Sequence, residues 1–213
     1  MMKPDLEPLP LRMRNLPIDP RGYPVPWFVA WIDGQPDFRV MDAEQWRSAV
    51  KLRLCWVCGQ ALGRWLAFPI GPMCAINRVT SEPPSHRECA EWSIRNCPFL
   101  SQPQMVRRGE ADLVDAQEPG GVMIRRNPGV TCLWITRGYE VFDAGGGKPL
   151  ITIGAPESVT WWTEKRAATR AEVDASIESG LPTLLTAARH DGPFAVESLG
   201  RQVQIAHSYY PAP

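Results

Sequence analysis

Cys55-Trp-Val-Cys-Gly59 and Ser85-His-Arg-Glu-Cys89 are the two stretches of sequence that decide the fold. In the first, two cysteines separated by two residues can bind one ion from a tight turn, and the glycine leaves the backbone of that turn unhindered. In the second, a helix that begins at the histidine places the histidine and the last cysteine on one face, because residues three apart are neighbours on a helix. The four side chains form a Cys3His set, which is typical of a closed tetrahedral zinc site: Cys55, Cys58, His86 and Cys89.

The region between these stretches predicts a zinc-finger arrangement. Leu66–Ile70 and 73–76 are short apolar runs that predict two strands. The capping-box spacing of Ser85 and Glu88 predicts a helix over 86–96. A cysteine knuckle, a hairpin and a helix whose first turn completes the site resemble the treble-clef zinc finger, and this resemblance implies one structural zinc ion.

Two of the remaining cysteines offer an alternative to one of the four predicted metal ligands. Either Cys74 or Cys97 could replace His86 as a ligand if the intervening loop folds differently. Otherwise both are predicted to be small buried hydrophobic residues, as is Cys132 in an apolar strand. A redox interpretation of the Cys-x-x-Cys motif lacks the strand, helix and βαβ context that such a motif requires.

The chain before the metal region divides into an arm and a hairpin. Residues 1–24 are rich in proline, which removes backbone donors and blocks helix formation, so they predict an extended arm. The apolar runs 27–32 and 38–41 flank a turn and predict a β-hairpin whose first strand is buried on both faces. A capping box at Asp42 predicts a short helix over 43–52.

After a polar connector over 101–120, the sequence predicts an antiparallel meander followed by helices. The predicted strands cover 122–124, 130–135, 139–142 and 150–153, and the predicted helices cover 156–165, 169–181, 182–189 and 194–206. Thr169 begins a capping box, and Gly180 fits a helix C-terminus. The predicted class is therefore α+β, with an arm (1–24), a zinc-stapled, treble-clef-like region (25–100) and an antiparallel sheet with C-terminal helices (121–213).

The composition of the 213 residues predicts a folded protein, and its balance of charges predicts no overall electrostatic field. Hydrophobic residues make up 44% and charged residues 22%, and the formal net charge is zero. Between Arg47 and Phe99, however, basic residues outnumber acidic ones. No apolar stretch is long enough to span a membrane, and the N-terminus lacks the apolar core of a signal peptide. We therefore expect a cytoplasmic protein with reduced cysteines and no membrane partner.

The motifs that would indicate an enzyme are incomplete in this sequence. An HNH nuclease needs a histidine base on the hairpin, but no histidine lies within 59–85. A zinc deaminase orders its ligands differently, and Cys89 would close the metal to water, so Glu88 is assigned to the capping box. Lys148 follows three glycines, as in a phosphate loop, but it is not followed by the Ser or Thr that such a loop requires. We interpret this stretch as a hairpin loop between two strands. His190 fits a helix end. The sequence favours a protein without catalytic activity, with an enzyme kept as an alternative.

Polar and basic residues near the metal region form the predicted recognition surface. They lie in the loop before the metal-binding helix, on that helix, or after the cysteine knuckle: Arg64, Asn77, Arg78, Glu82, Arg87 and Arg95. A zinc ion would hold this loop rigid. The predicted partner is a nucleic acid, contacted through the four arginines, or a host protein. The net charge of zero weakens the first option, because phosphate contacts dominate nucleic-acid affinity.

Two parts of the sequence resemble uncharacterised proteins of bacteriophages and proteobacteria. One comprises 71–78, 83–89 and 96–98, and the other is 168–182. The resemblance implies a phage-associated context and carries over no activity. The sequence therefore predicts a zinc-stabilised binding module. The alternatives are an enzyme acting on a nucleotide or nucleic acid in a cleft between the two regions, and a phage structural or assembly component.

Overall fold

The computed structural model of the chain describes residues 2–103, 105–106, 127–145 and 147–212. The predicted strand over 122–124 and most of the connector lie outside the described residues. The described part combines helices with antiparallel sheets, which confirms the predicted α+β class. Among its helices, none is both long enough and apolar enough to cross a membrane.

The described strands form three antiparallel sheets, β1-β2, β3-β5-β8-β9 and β4-β7-β6. The strands are β1 (Val29–Ile32), β2 (Gln35–Met41), β3 (Leu66–Ile70), β4 (Val79–Thr80), β5 (Thr131–Thr136), β6 (Tyr139–Asp143), β7 (Pro149–Ile153), β8 (Pro156–Thr163) and β9 (Arg166–Ala167). The helices are α1 (Ala43–Leu52), α2 (Pro72–Asn77), α3 (Arg87–Asn96), α4 (Pro98–Ser101), α5 (Arg170–Asp191) and α6 (Pro193–Ala206), with short 3-10 helices at Leu11–Met13 and His207–Tyr209.

The four-stranded sheet is the centre of the fold, and its side chains alternate between two buried faces. Phe68 of β3 lies opposite Trp134 of β5, and both belong to the main apolar core with α2, α5 and α6. The neighbouring residues Ala67 and Leu133 face the other way and pack with Ile94 of α3. The helix of the metal region and the C-terminal helices therefore lie on opposite faces of one sheet.

Both larger sheets combine strands from the predicted regions 25–100 and 121–213. β3 pairs with β5, and β4 pairs with β7. The predicted meander is wrong in one connection, because β5 and β6 follow each other in sequence but belong to different sheets. A hydrogen bond of 3.0 Å from the Gly154 N–H to the Gly138 carbonyl holds the chain where it passes between the sheets.

Two predicted elements have the wrong type. The run 73–76 lies in α2 rather than in a strand, with Pro72 in the first helical turn, so β3 has no hairpin partner there. The run 156–165 lies mainly in β8 rather than in a helix, and Trp161 and Trp162 belong to the apolar clusters on opposite faces of the sheet. The physical reason is that short apolar runs do not distinguish helix from strand by periodicity alone.

The C-terminal helix begins as predicted but continues further. The capping box is complete, since the Glu172 N–H donates to Thr169 Oγ1 (3.3 Å) and the Thr169 N–H donates to Glu172 Oε2 (2.8 Å). Helix α5 does not end at Gly180 but runs on to Asp191. A Cβ at Gly180 would lie 3.0 Å from Met73 Cε, so the glycine allows α2 and α5 to pack closely.

The N-terminal hairpin and α1 form where they were predicted, but the burial of β1 was predicted wrongly. Trp31 is 53% exposed and Ile32 is 43% exposed, so β1 is not covered on both faces. Asp42 caps α1 by accepting hydrogen bonds from two backbone N–H groups of the first turn. Lys148 lies between β6 and β7, as the hairpin-loop interpretation predicted.

Glu172→Gln tests the capping box of α5 through its pH dependence. Hydrogen bonds from Arg166 and from the Thr169 N–H hold the pKa of Glu172 at about 2, below its usual 4.5. The stabilisation by the ionised carboxylate is therefore complete above about pH 4.5 and is lost as the pH falls towards 2. Because the group is partly exposed, we expect the variant to lose about 0.5–1 kcal/mol of unfolding free energy at neutral pH and only about a quarter of that at about pH 2.5. Urea unfolding at both pH values measures this, and an equal loss at both would contradict it.

Candidate metal centre

The first two ligands lie on a tight turn between α1 and β3. The Gly59 N–H donates to the Cys55 carbonyl, and the Cys55 N–H donates to the Gln60 carbonyl, each at 2.8 Å. Gly59 has a φ of +72°, a left-handed conformation that favours glycine, and a Cβ there would lie 2.8 Å from the Trp27 ring. Both the turn and the ring packed against it therefore require the glycine after the second cysteine.

The other two ligands lie at the beginning of α3. His86 is the N-cap residue, and Cys89 lies in the first turn, so the helix begins one residue later than predicted. The predicted capping box is wrong, because Ser85 makes no side-chain cap and its backbone instead pairs with Ala67 of β3 through hydrogen bonds of 2.8 and 2.9 Å. This bridge to the central sheet fixes where the helix begins.

The structure brings the four predicted ligands together in what we call the metal cluster: Cys55, Cys58, His86 and Cys89. The ligand atoms all lie within 4.8 Å of one another, and Cys58 Sγ is 3.4 Å from His86 Nδ1. Four donors around one zinc ion, at bond lengths of about 2.0–2.3 Å, would be slightly less than about 4 Å apart. The metal cluster could therefore close around one ion with a small contraction.

His86 is oriented by a hydrogen bond on the side away from the sulfurs. Its Nε2 lies 3.0 Å from the Ala61 carbonyl, which accepts only from a protonated nitrogen. Nε2 therefore carries a proton, and Nδ1 faces the cluster, as in metal sites where a carbonyl orients a histidine ligand. Hydrogen bonds with Cys55 and Cys58 raise the pKa of His86 to about 10, so a metal ion that binds here displaces a proton from Nδ1.

The sulfur of Cys55 is stabilised as a thiolate. It accepts the backbone N–H groups of Cys58 (3.4 Å) and His86 (3.3 Å). Burial would raise the pKa of Cys55, but hydrogen bonds from the other three ligands lower it below its ordinary value. Hydrogen bonds with Cys55 and Cys58 raise the pKa of Cys89, because a second negative sulfur beside the first is unfavourable. A divalent cation removes this repulsion, so the donor set fits a metal ion.

The metal cluster is largely buried, and only Cys58 is partly exposed. Cys55 and Cys89 are fully buried, and His86 is 8% exposed. Met13 of the Pro-rich arm packs into the same apolar cluster as both cysteines and Trp92 of α3. Four protein ligands under this cover leave no coordination position for a substrate, which is the arrangement of a structural rather than a catalytic metal site.

The Pro-rich arm is anchored on α3. The Trp92 indole N–H donates to the Glu7 carbonyl (3.1 Å), and the Glu7 carboxylate forms an ion pair with Arg95 (2.9 Å). Glu88 forms an ion pair with Arg12 (2.9 Å) and does not serve as the capping-box partner that the sequence predicted. The arm therefore wraps over the helix that supplies two of the ligands.

The other cysteines are not part of the metal cluster. Burial raises the pKa of Cys74 to about 12 and raises that of Cys132 well above its ordinary value, so both thiols stay protonated. Cys97 is the C-cap of α3, at the opposite end of the helix from His86. Neither Cys74 nor Cys97 replaces His86 in the cluster.

The six predicted recognition residues lie on different elements and make different contacts. Arg87 and Arg95 lie on α3, where Arg87 forms an ion pair with Glu91 (2.7 Å) and Arg95 binds the arm. Asn77 Oδ1 accepts the N–H of the residue two positions on, and the Glu82 N–H donates to a threonine hydroxyl, so both shape the turns around β4. The two remaining residues, Arg64 and Arg78, are exposed.

A groove that the sequence analysis missed lies beside the cysteine knuckle. It has a volume of about 280 Å³ between the arm, the β1-β2 hairpin and Cys58. Trp27 and Trp31 contribute aromatic side chains to its lining. Because the apolar run 27–32 predicted a strand buried on both faces, the exposure of Trp31 was not expected. No pattern in the sequence therefore indicated the groove.

Neither a family model, nor a curated protein, nor a solved structure matches this chain.

Proposed function

We propose that the metal cluster binds one structural zinc ion and that the zinc-stapled protein is a nucleic-acid-binding module without catalytic activity. The binding role rests on one observation. Exposed arginines without a carboxylate partner, within the described residues, lie beside the cysteine knuckle. The identity of the metal and the identity of the partner rest on different observations and are tested separately.

Zinc is the ion that this donor set favours. Thiolates are soft ligands that select zinc over magnesium or calcium, and a buried Cys3His set is a common structural zinc pattern. Three thiolates, a neutral imidazole and a divalent ion leave about one negative charge on the site. The two backbone N–H groups that donate to Cys55 Sγ stabilise this charge.

Most of the described arginines form an ion pair with a carboxylate of the protein. The exceptions within the described residues are Arg14, Arg53, Arg64, Arg78 and Arg189. A guanidinium group binds phosphate with two parallel hydrogen bonds and stacks on aromatic rings. An exposed arginine that no carboxylate neutralises is therefore a candidate phosphate contact.

Two of these arginines lie around the beginning of β6. The Arg78 carbonyl accepts a hydrogen bond of 2.7 Å from the Ile153 N–H, and Ile153 lies directly opposite Tyr139. Burial raises the pKa of Tyr139 and the positive charge of Arg53 opposes that shift, so Arg53 also lies near this tyrosine. The pairing of β7 with β6 thus places the backbone of Arg78 near the beginning of β6, where the charge of Arg53 is also felt.

A third unpaired arginine, Arg64, lies near the same strand. Its guanidinium group and that of Arg137 both lie over the ring of Trp65, and Arg137 precedes Tyr139 by two residues. We call the four residues Arg53, Arg64, Arg78 and Arg137 the arginine cluster. Only Arg64 and Arg78 were predicted as recognition residues, because the sequence does not show which arginines strand pairing will bring together.

The cysteine knuckle connects the metal to the arginine cluster. Arg53 precedes the first ligand and Arg64 follows the turn. The Leu62 N–H donates to the Arg53 carbonyl (2.8 Å), and Leu54 forms a β-bridge with Ala61, so the two ends of the knuckle are paired. A zinc ion that fixes the knuckle therefore also fixes the spacing of these two arginines.

The groove beside the knuckle favours a second candidate function, the binding of a host protein. Trp31 is 53% exposed, and its neighbour Ile32 is also exposed. Exposed aromatic side chains next to a groove are typical of protein interfaces. Such binding would be apolar and insensitive to salt, whereas binding through the arginine cluster would weaken as salt increases.

The alternative of an enzyme has less support in the described residues. The side chain of His190 is 92% exposed, and its nearest acid, Asp191, is 3.9 Å away. The ring of His207 lies against Tyr210. Neither histidine lines the groove beside the knuckle, so neither is positioned to act on a ligand bound there.

Cys58→Ser tests the zinc site. We expect bound zinc to fall from one ion per chain to nearly none, because serine is a poor zinc ligand and three donors do not complete the site. Hydrogen-exchange protection over 55–99 should fall with it, since the free energy of metal binding is part of the folding free energy of such a site. Elemental analysis and exchange mass spectrometry measure the two effects.

Cys74→Ser and Cys97→Ser are the matched controls for this experiment. Both should keep one zinc ion per chain, because neither sulfur belongs to the metal cluster. Loss of zinc in a control and retention of zinc in Cys58→Ser would contradict the assigned ligand set.

Arg78→Ala tests the nucleic-acid partner. We expect the protein to bind a fluorescent oligonucleotide with an affinity that falls as salt increases, and the variant to show a salt slope smaller by about 0.7–0.9, the value of one lost phosphate contact. The melting temperature should hardly change, because residue 78 keeps its φ of 55° with either side chain. Fluorescence anisotropy at several salt concentrations measures the slope.

Arg189→Ala is the control for Arg78→Ala, because Arg189 is also unpaired but lies on α5. It should bind like the wild type. Absence of nucleic-acid binding, together with salt-insensitive capture of one host protein that Trp31→Ala abolishes, would replace the nucleic-acid function by the second candidate.

A further inference from the structure

We propose that Trp65 is a stacking platform for one unpaired base of a single-stranded nucleic acid, with Arg137 holding the ring in place and Arg64 contacting a phosphate beside it. This inference rests on the proposed nucleic-acid-binding function and narrows that function to single strands. The platform was not among the recognition residues that the sequence predicted.

The ring of Trp65 is held in place and yet accessible. Trp65 precedes β3 and is 45% exposed, whereas the next residue, Leu66, is fully buried. Arg64 Cζ lies 5.3 Å from the ring centroid, and Arg137 Cζ lies 4.9 Å from it. Cation–π attraction to two guanidinium groups orients the ring, while almost half of the residue remains open to a ligand.

Strand pairing positions the platform before any ligand binds. Leu66 lies opposite Thr136, so Trp65 and Arg137 are the next residues along two paired strands. Thr136 Oγ1 donates a hydrogen bond of 2.8 Å to the Ala155 carbonyl, which anchors the end of β5. Little conformational entropy is therefore lost when a base stacks on the ring.

The two arginines have different roles. Arg137 forms an ion pair with Glu157 (2.6 Å), whereas Arg64 has no carboxylate partner in the part of the chain that the structure describes. A base that stacks on Trp65 competes with a guanidinium group for one ring face. Arg64 is the group that moves away, because only the ring holds it, and its charge then meets a phosphate of the bound strand.

An exposed indole on the surface can stack only on a base that is not already stacked and paired. In a duplex both faces of each base are covered by its neighbours, whereas a single strand presents free base faces. Stacking of this kind is tolerant of sequence, because every base has a π-face. The remaining members of the arginine cluster, Arg53 and Arg78, then contact the backbone on either side without reading base edges.

The experiment measures the anisotropy of a fluorescent oligothymidylate and of a duplex of the same length with the full chain. We expect Trp65→Ala to weaken binding of the oligothymidylate roughly 5- to 150-fold, the range seen for loss of one base–aromatic stack. Trp65→Phe keeps an aromatic ring and should recover most of the affinity. Trp31→Ala is the matched control, because Trp31 is 53% exposed but lies beside the groove, and it should bind like the wild type.

The outcomes separate this inference from the function on which it rests. If the wild type binds nucleic acid but Trp65→Ala binds equally well, or if duplex binds as tightly as the single strand, the platform is overturned and the nucleic-acid function stands. If neither form of nucleic acid binds, both fall. Should Trp65→Ala lose its melting transition or its zinc, Trp65→Leu, which keeps an apolar side chain of substantial size but no aromatic ring, decides. Weaker binding of the oligothymidylate by Trp65→Leu than by Trp65→Phe supports the platform, and equal binding by the two variants overturns it.

Discussion

Three sulfur ligands in one buried cluster impose the constraint on which the rest of this structure depends. Thiolates beside one another repel in a medium that screens little, and a shared cation would remove this repulsion. A cation bound by all four side chains would require the cysteine knuckle to meet the beginning of α3, as it does here. The backbone bridge between Ser85 and Ala67 places that meeting point against the central sheet. The arm closes the site through Met13 and Glu7. The metal cluster thus lies where three chain segments meet: the arm, the cysteine knuckle and the beginning of α3.

The ligand set could be predicted from the sequence because each pair of ligands is local. The spacing of Cys55 and Cys58 requires a turn, and the spacing of His86 and Cys89 requires a helical turn. The predicted capping box failed for a non-local reason, since Ser85 is engaged by β3 rather than by its own helix. Of the arginine cluster, only Arg64 and Arg78 were predicted as recognition residues, and the grouping itself was not predicted. Arg64 and Arg137 are brought together by the pairing of β3 with β5, which no local pattern reveals.

As with the ligand set, the parts of the fold that depend on local sequence could be predicted, and the parts that depend on distant contacts could not. Local signals identified the β1-β2 hairpin, helix α1 and the capping box at Thr169. Periodicity failed where an apolar run was short, at 73–76, and where Trp161 and Trp162 fitted either a helix or a strand. Gly180 looked like a helix end, but it is a contact point for Met73. A glycine that allows close packing and a glycine that ends a helix look alike until the neighbouring helix is known.

The proposed metal site and the proposed nucleic-acid site meet in the knuckle, so binding at one site would be coupled thermodynamically to binding at the other. Arg53 and Arg64 stand at its two ends, while Cys55 and Cys58 lie between them. An ion that orders the loop removes conformations that a bound ligand would otherwise have to exclude, so the ion raises the affinity for the ligand without touching it. Linkage makes the effect reciprocal, and a ligand held by both arginines strengthens metal binding by the same factor. In the proposed function, a structural zinc ion in this position would therefore contribute to nucleic-acid recognition through preorganisation of charge rather than through chemistry.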